Sequence, residues 1–155
     1  MKLRGGKTKG LTIIEVLVVI AVLLILAGAV MPLAKVTLKR QKELELRRTL
    51  RTMREAIDLY KQYSDTGQIE KEGLDSEGYP PDLDTLVKGV PQVGTTKKFK
   101  FLRRIPVDPF THKAEWGLRS YQDEPDSHSW GRQNVYDVYT LHSGKALDGT
   151  EYEDW

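Results

Sequence analysis

Cysteine is absent from the 155 residues, so no disulfide braces this chain, and thiol and iron–sulfur chemistry are closed to it. Histidine is scarce. His112, His128 and His142 stand far apart, lack the close spacing of a paired-histidine metal site, and read as surface residues. No G-x-S-x-G elbow, Walker loop or other nucleophile motif occurs, so no catalytic constellation is legible. An excess of one charge is also missing, with 24 Lys and Arg against 22 Asp and Glu. Lys2, Arg4, Lys7 and Lys9 precede Gly10; without these four, 20 basic residues face 22 acidic ones and the balance is −2. A nucleic-acid surface, which needs clustered positive charge, is not indicated.

What the sequence does have is one long apolar run. From Leu11 to Ala34 the only charge is Glu15, and Thr12 is the one other hydrogen-bonding side chain. A bilayer core needs ~20 apolar residues, so this run is long enough to cross one. A carboxylate inside such a run costs about 2.5–3.5 kcal/mol at a helix centre and calls for a reason. One reason is plain: near the start of the run, Glu15 could reach back to the interface. Pro32 could be an ordinary kink near the end of a membrane helix. Ala27-Gly28-Ala29 also fits an A-x-A signal-peptidase site that would release a soluble protein beginning at Val30. Against that stands the length of the run, which exceeds the ~7–15 residues of a signal core.

Beyond Ala34 the helix is expected to continue. Val36 to Tyr63 contains no proline or glycine and is rich in strong helix formers. Leu46, Leu50, Met53, Ile57 and Tyr60 recur on one helical face, which predicts a buried stripe. Below it, the nearly all-charged Lys39–Glu45 predicts a bare, solvated neck, with Lys39 and Glu43 as an oppositely charged pair. Ser64-Asp65-Thr66-Gly67 supplies a stop. The remainder is long enough for one small domain. Pro81 suits the first turn of a short helix that buries Leu83, Leu86 and Val87. Gly89 to Lys98 reads as loop, and Pro106 with Pro109 marks a turn. Trp116–Tyr121 and Asn134–Leu141 are the two expected strands, joined by a long polar loop. Trp116, Tyr121, Tyr136, Tyr139 and Trp155 read as core of this domain, and Tyr152 and Trp155 as residues packing the tail back.

Lys-Gly-Leu-Thr-Ile-Ile-Glu-Val-Leu, read with the basic leader before it and the apolar helix after it, resembles the cleavage and methylation segment of type IV pilins and type II secretion pseudopilins. The resemblance implies cleavage between Gly10 and Leu11 by a prepilin peptidase and N-methylation of Leu11. It also implies that Glu15 pairs with the amino terminus of a neighbouring subunit, and that Pro32 is the helix proline of the family. Further on, GYPPDLDTLV, FLRRIPVDP and VYDVYTLHSGKALDGTEYEDW resemble the head of the major, G-type pseudopilins. The implied fold is α+β and pilin-like: a long N-terminal spine helix, half transmembrane and half amphipathic, with a small head holding a short antiparallel sheet. The implied parts are a leader at 1–10, a membrane and filament-core helix at 11–34, the periplasmic half of the spine at 35–64 and the head at 65–155.

Lys35, Lys39, Arg40 and Lys42 flank the apolar run on its other side, so positive charge alone does not orient it. The resemblance does: leader in the cytoplasm, single inner-membrane pass, head in the periplasm. Its implied partners are copies of itself, other pseudopilins, inner-membrane assembly proteins and the prepilin peptidase. Major pseudopilins bind calcium in the C-terminal loop, which points to Asp148, Glu151, Glu153 and Asp154. Those residues read equally as a solvated acidic tail with an Asp-Gly turn. The expected function is therefore structural, that of a type II secretion pseudopilus subunit. The alternatives are a type IV pilus subunit for adhesion, motility or DNA uptake, a secreted binding domain with a signal peptide, and an anchored enzyme.

Overall fold

The computed structural model describes residues 10–71, 73 and 75–155, and the side chains of 29–33 are outside that description. The leader 1–9 and the side chain of Pro32 therefore lie outside the described residues. One helix, α1, spans Ile13–Asp65. It starts where Thr12 accepts a hydrogen bond (3.3 Å) from the backbone N–H of Glu15 through its hydroxyl, which satisfies one donor of the first turn. It ends where expected: Gly67 takes φ 69°, and its N–H donates to the carbonyl of Ser64 at 3.1 Å.

The chain divides into two compact units, Met1–Lys39 and Arg40–Trp155. In the first, the described apolar side chains from Leu11 to Leu26 are exposed. Among the described residues no helix is long and apolar enough to cross a membrane. The apolar run of the sequence continues through 29–33, whose side chains are not described.

The second unit is built on the predicted stripe. Leu46, Leu50, Met53, Ile57 and Tyr60 are all buried and form one cluster with Leu86, Val135, Val138 and Tyr152. A helix α2, Leu83–Lys88, covers part of it. The helix begins two residues later than Pro81, because Asp82 is its N-cap and accepts from the N–H of Thr85 at 2.7 Å. Leu83 and Leu86 are buried as their spacing predicts, whereas Val87 is only partly buried against the same cluster.

Strands β1 (Val90–Pro91) and β2 (Lys98–Phe99) pair antiparallel within the segment read as loop. Strands β3 (Gly117–Arg119) and β4 (Asp137–Tyr139) pair antiparallel, with Leu118 opposite Val138, and are the two expected strands, shortened. At one end Gly117 is overlain by the Tyr139 ring, so closely that a Cβ there would lie 2.2 Å from it. At the other, Ser120 leaves the ladder, its N–H bonding to Asp123 at 2.7 Å and its hydroxyl to the carbonyl of Asn134 at 3.0 Å. Trp116 and Tyr139 are buried as read, but Tyr121 and Tyr136 are exposed, the two rings meeting Tyr79 at the surface. The tail ends in a single 3-10 turn, Tyr152–Asp154.

Candidate functional site

The residues singled out at the amino-terminal end occupy one short stretch. Gly10, Leu11 and Thr12 precede the first helical residue in exposed positions, and the carbonyl of Thr12 accepts the first helical hydrogen bond, from the N–H of Val16 at 3.1 Å. Leu11 is 72% exposed, and a Cβ at Gly10 would meet nothing within 4 Å. Glu15 sits in the first turn of α1, where the positive end of the helix dipole favours a carboxylate. Thr12 and Glu15 thus stand in the spacing of a capping box, which is enough to explain their pairing within one chain. Around Glu15, Ile13, Ile14, Val16, Leu17 and Val18 leave large apolar areas in solvent. A contiguous apolar surface of that kind marks an interface.

The four carboxylates of the tail behave differently. Asp148 contacts Arg47 at 3.0 Å and accepts from the hydroxyl and N–H of Thr150, at 2.7 and 3.1 Å. These Thr150 donors first, and then Arg47, hold its carboxyl below the usual carboxylate value. Glu151 pairs with Lys145 at 3.1 Å, and Glu153 lies 3.7 Å from Nδ1 of His128. Asp154 is exposed. The structure does not bring the four together, and among the described residues no group of three or more His, Cys, Asp or Glu could hold a metal ion. Calcium takes six to eight oxygen ligands, and this donor set does not fit it. His128 is exposed as read, whereas His142 is half-buried and stacked on Phe110 with ring centres 4.7 Å apart.

Several polar residues that hold the second unit together were not legible as such. Glu43, read as part of a bare neck, is buried, and Oε1 accepts from the Tyr152 hydroxyl and from the N–H of Leu147, both at 2.9 Å. The neck reading is corrected on this point: the tail covers this turn of α1. Burial, and after it Glu43, pushes the Tyr152 hydroxyl pKa well up. Arg54 meets Asp137 at 2.6 Å and donates to the carbonyls of Val138 and Trp155 at 3.1 and 2.7 Å. Asp108 is fully buried and accepts from the N–H groups of Phe110 (2.6 Å) and Thr111 (3.2 Å) and from the Thr140 hydroxyl. One signal could have found Glu43: it lies three residues before Leu46, on the stripe itself.

Two comparisons bear on these observations. Residues 6–31 match the model of the prokaryotic N-terminal methylation motif. The chain is similar to the type II secretion system core protein G of Pseudomonas aeruginosa, with 30% identity over 148 residues, covering 92% of this chain and 85% of that protein. No solved structure matches it.

Proposed function

The chain belongs to the family of type II secretion core protein G, the pseudopilins, and from that premise we propose how its two ends are used. A prepilin peptidase cuts between Gly10 and Leu11, and the new amino terminus at Leu11 is methylated. The run 11–34 sits in the bacterial inner membrane with the remainder in the periplasm. The chain then polymerises through α1 with copies of itself, alongside other pseudopilins and inner-membrane assembly proteins, into a pseudopilus that supports export. Its role is structural, and no step of it is catalysed by this chain.

The observation that carries this reading is a single carboxylate, Glu15, on an exposed apolar helix surface just after an accessible Gly-Leu bond. Packing such surfaces together buries the carboxylate as well. A charge taken out of water is tolerated only when an opposite charge meets it. The free ammonium created at Leu11 of a neighbour is that charge, and the need for the pair selects one axial offset between subunits. Pro32, with Gly28 nearby, lets the helix bend where it packs.

Glu15→Ala tests the assembly step. The variant is expected to insert and to be trimmed at Gly10, as shown by amino-terminal sequencing, yet to yield no sedimentable filament. Filaments at wild-type yield would reject the role given to Glu15.

A further inference from the structure

The tail is held by donors and acceptors arranged in the opposite sense to a calcium loop. We propose that it closes onto α1 without a metal, through a clasp of three α1 side chains: Glu43, Arg47 and Arg54. A calcium loop supplies converging oxygen acceptors, and the ion neutralises carboxylates that would otherwise repel one another. Here the tail supplies donors at its centre. The N–H of Leu147 and the hydroxyl of Tyr152 both point to one oxygen of Glu43, so a single buried carboxylate gathers two points of the loop.

Two carboxylates of the tail are met by cations of the chain itself. Asp148 takes the guanidinium of Arg47, which also lies 3.8 Å over the Trp155 ring, and Glu151 takes Lys145. Arg54 completes the clasp by joining the Trp155 carbonyl to Asp137 of β4. The loop is also closed on its own backbone, from the N–H of Ala146 to the carbonyl of Thr150 at 2.8 Å and from that of Tyr152 to Gly144 at 3.0 Å. Among the described residues no group of three or more His, Cys, Asp or Glu is left that could hold a divalent ion.

The experiment uses the full chain in detergent micelles and reads two quantities: the thermal midpoint, and the rate of tryptic cleavage after Lys145. Each is measured in calcium and in chelator, for the wild type, Tyr152→Phe and Arg47→Ala. Wild-type midpoint and cleavage rate are expected to be the same in both solutions. Each variant is expected to melt roughly 2–8 °C lower and to be cut about tenfold faster, as the open tail becomes more populated. Calcium is expected to restore neither. A wild-type midpoint that rises with calcium would overturn the proposal. So would variants that both melt and digest like the wild type. Tyr152→Phe removes one hydroxyl and no charge, so it reports on the clasp even if Arg47→Ala fails to fold.

Discussion

Leu17 and Leu50 lie on the same helix, yet Leu17 is 56% exposed and Leu50 only 2%. The two units of the chain treat the same residue type in opposite ways. In Arg40–Trp155 the apolar stripe of α1 packs into one cluster with residues of α2, the β3–β4 pair and the tail, and Glu43 and Arg54 beside it are hydrogen-bonded to the tail. In Met1–Lys39 the described apolar side chains have no cover from their own chain. Burial releases roughly 25 cal/mol per Å² of apolar surface. The second unit takes that gain on folding, and the first can take it only from lipid or from other subunits. With the function proposed above, stability and assembly fall to different stretches of one helix.

The sharpest way to break this contrast is to cut the same side chain in both units. Leu50→Ala is expected to lower unfolding stability by about 2–5 kcal/mol, because it leaves a cavity under the head. Leu17→Ala is expected to change the unfolding of the second unit by less than about 0.5 kcal/mol. Denaturant titration followed by Trp fluorescence compares the two, and equal losses would erase the distinction. A smaller effect is expected at Asp108. Asp108→Ala strands the N–H groups of Phe110 and Thr111 and the Thr140 hydroxyl, at a cost of about 1–3 kcal/mol on the same titration.

The smallest effect sharpens the contrast through pH. Asp123 accepts from the N–H groups of Ser120 and Gly131 at 2.7 and 3.0 Å, and these bonds hold its carboxyl below the ordinary 3.8. Asp148 is held low by Thr150 and Arg47. A carboxyl whose pKa is lowered on folding contributes stability above the unfolded value and loses it as pH falls through the folded one. Neither contact is therefore expected to weaken between pH 7 and 5. Both are expected to loosen below the ordinary value of 3.8. Carboxyl titration by NMR, read at the Ser120 and Thr150 amides, checks this.

Much of this arrangement is readable in the sequence because it rests on period and order. Leu46, Leu50, Met53, Ile57 and Tyr60 repeat at helical spacing, and burial tracks spacing. Gly10, Leu11, Thr12 and Glu15 are read together because they are adjacent in the chain. The charge of Glu43 marks it as solvated, but its position, three residues before Leu46, puts it on the buried side. The β1–β2 pair leaves no alternation to read, since each strand has two residues. Phe101 and Leu102, just past β2, anchor it instead, their N–H groups both bonded to the carbonyl of Leu86. The acidic spacing of the tail is visible in the sequence, but Arg47 opposite Asp148 is a contact across 101 positions that spacing cannot show.

The hydroxyl of Thr12 has a consequence for docking. By tying down the Glu15 amide it fixes the opening turn of α1 before any neighbour is present. In the assembly proposed for Glu15, the backbone that carries the acid would have less freedom to surrender to a second subunit, and an interface formed by a pre-set turn binds more tightly than the same contacts made by a frayed one.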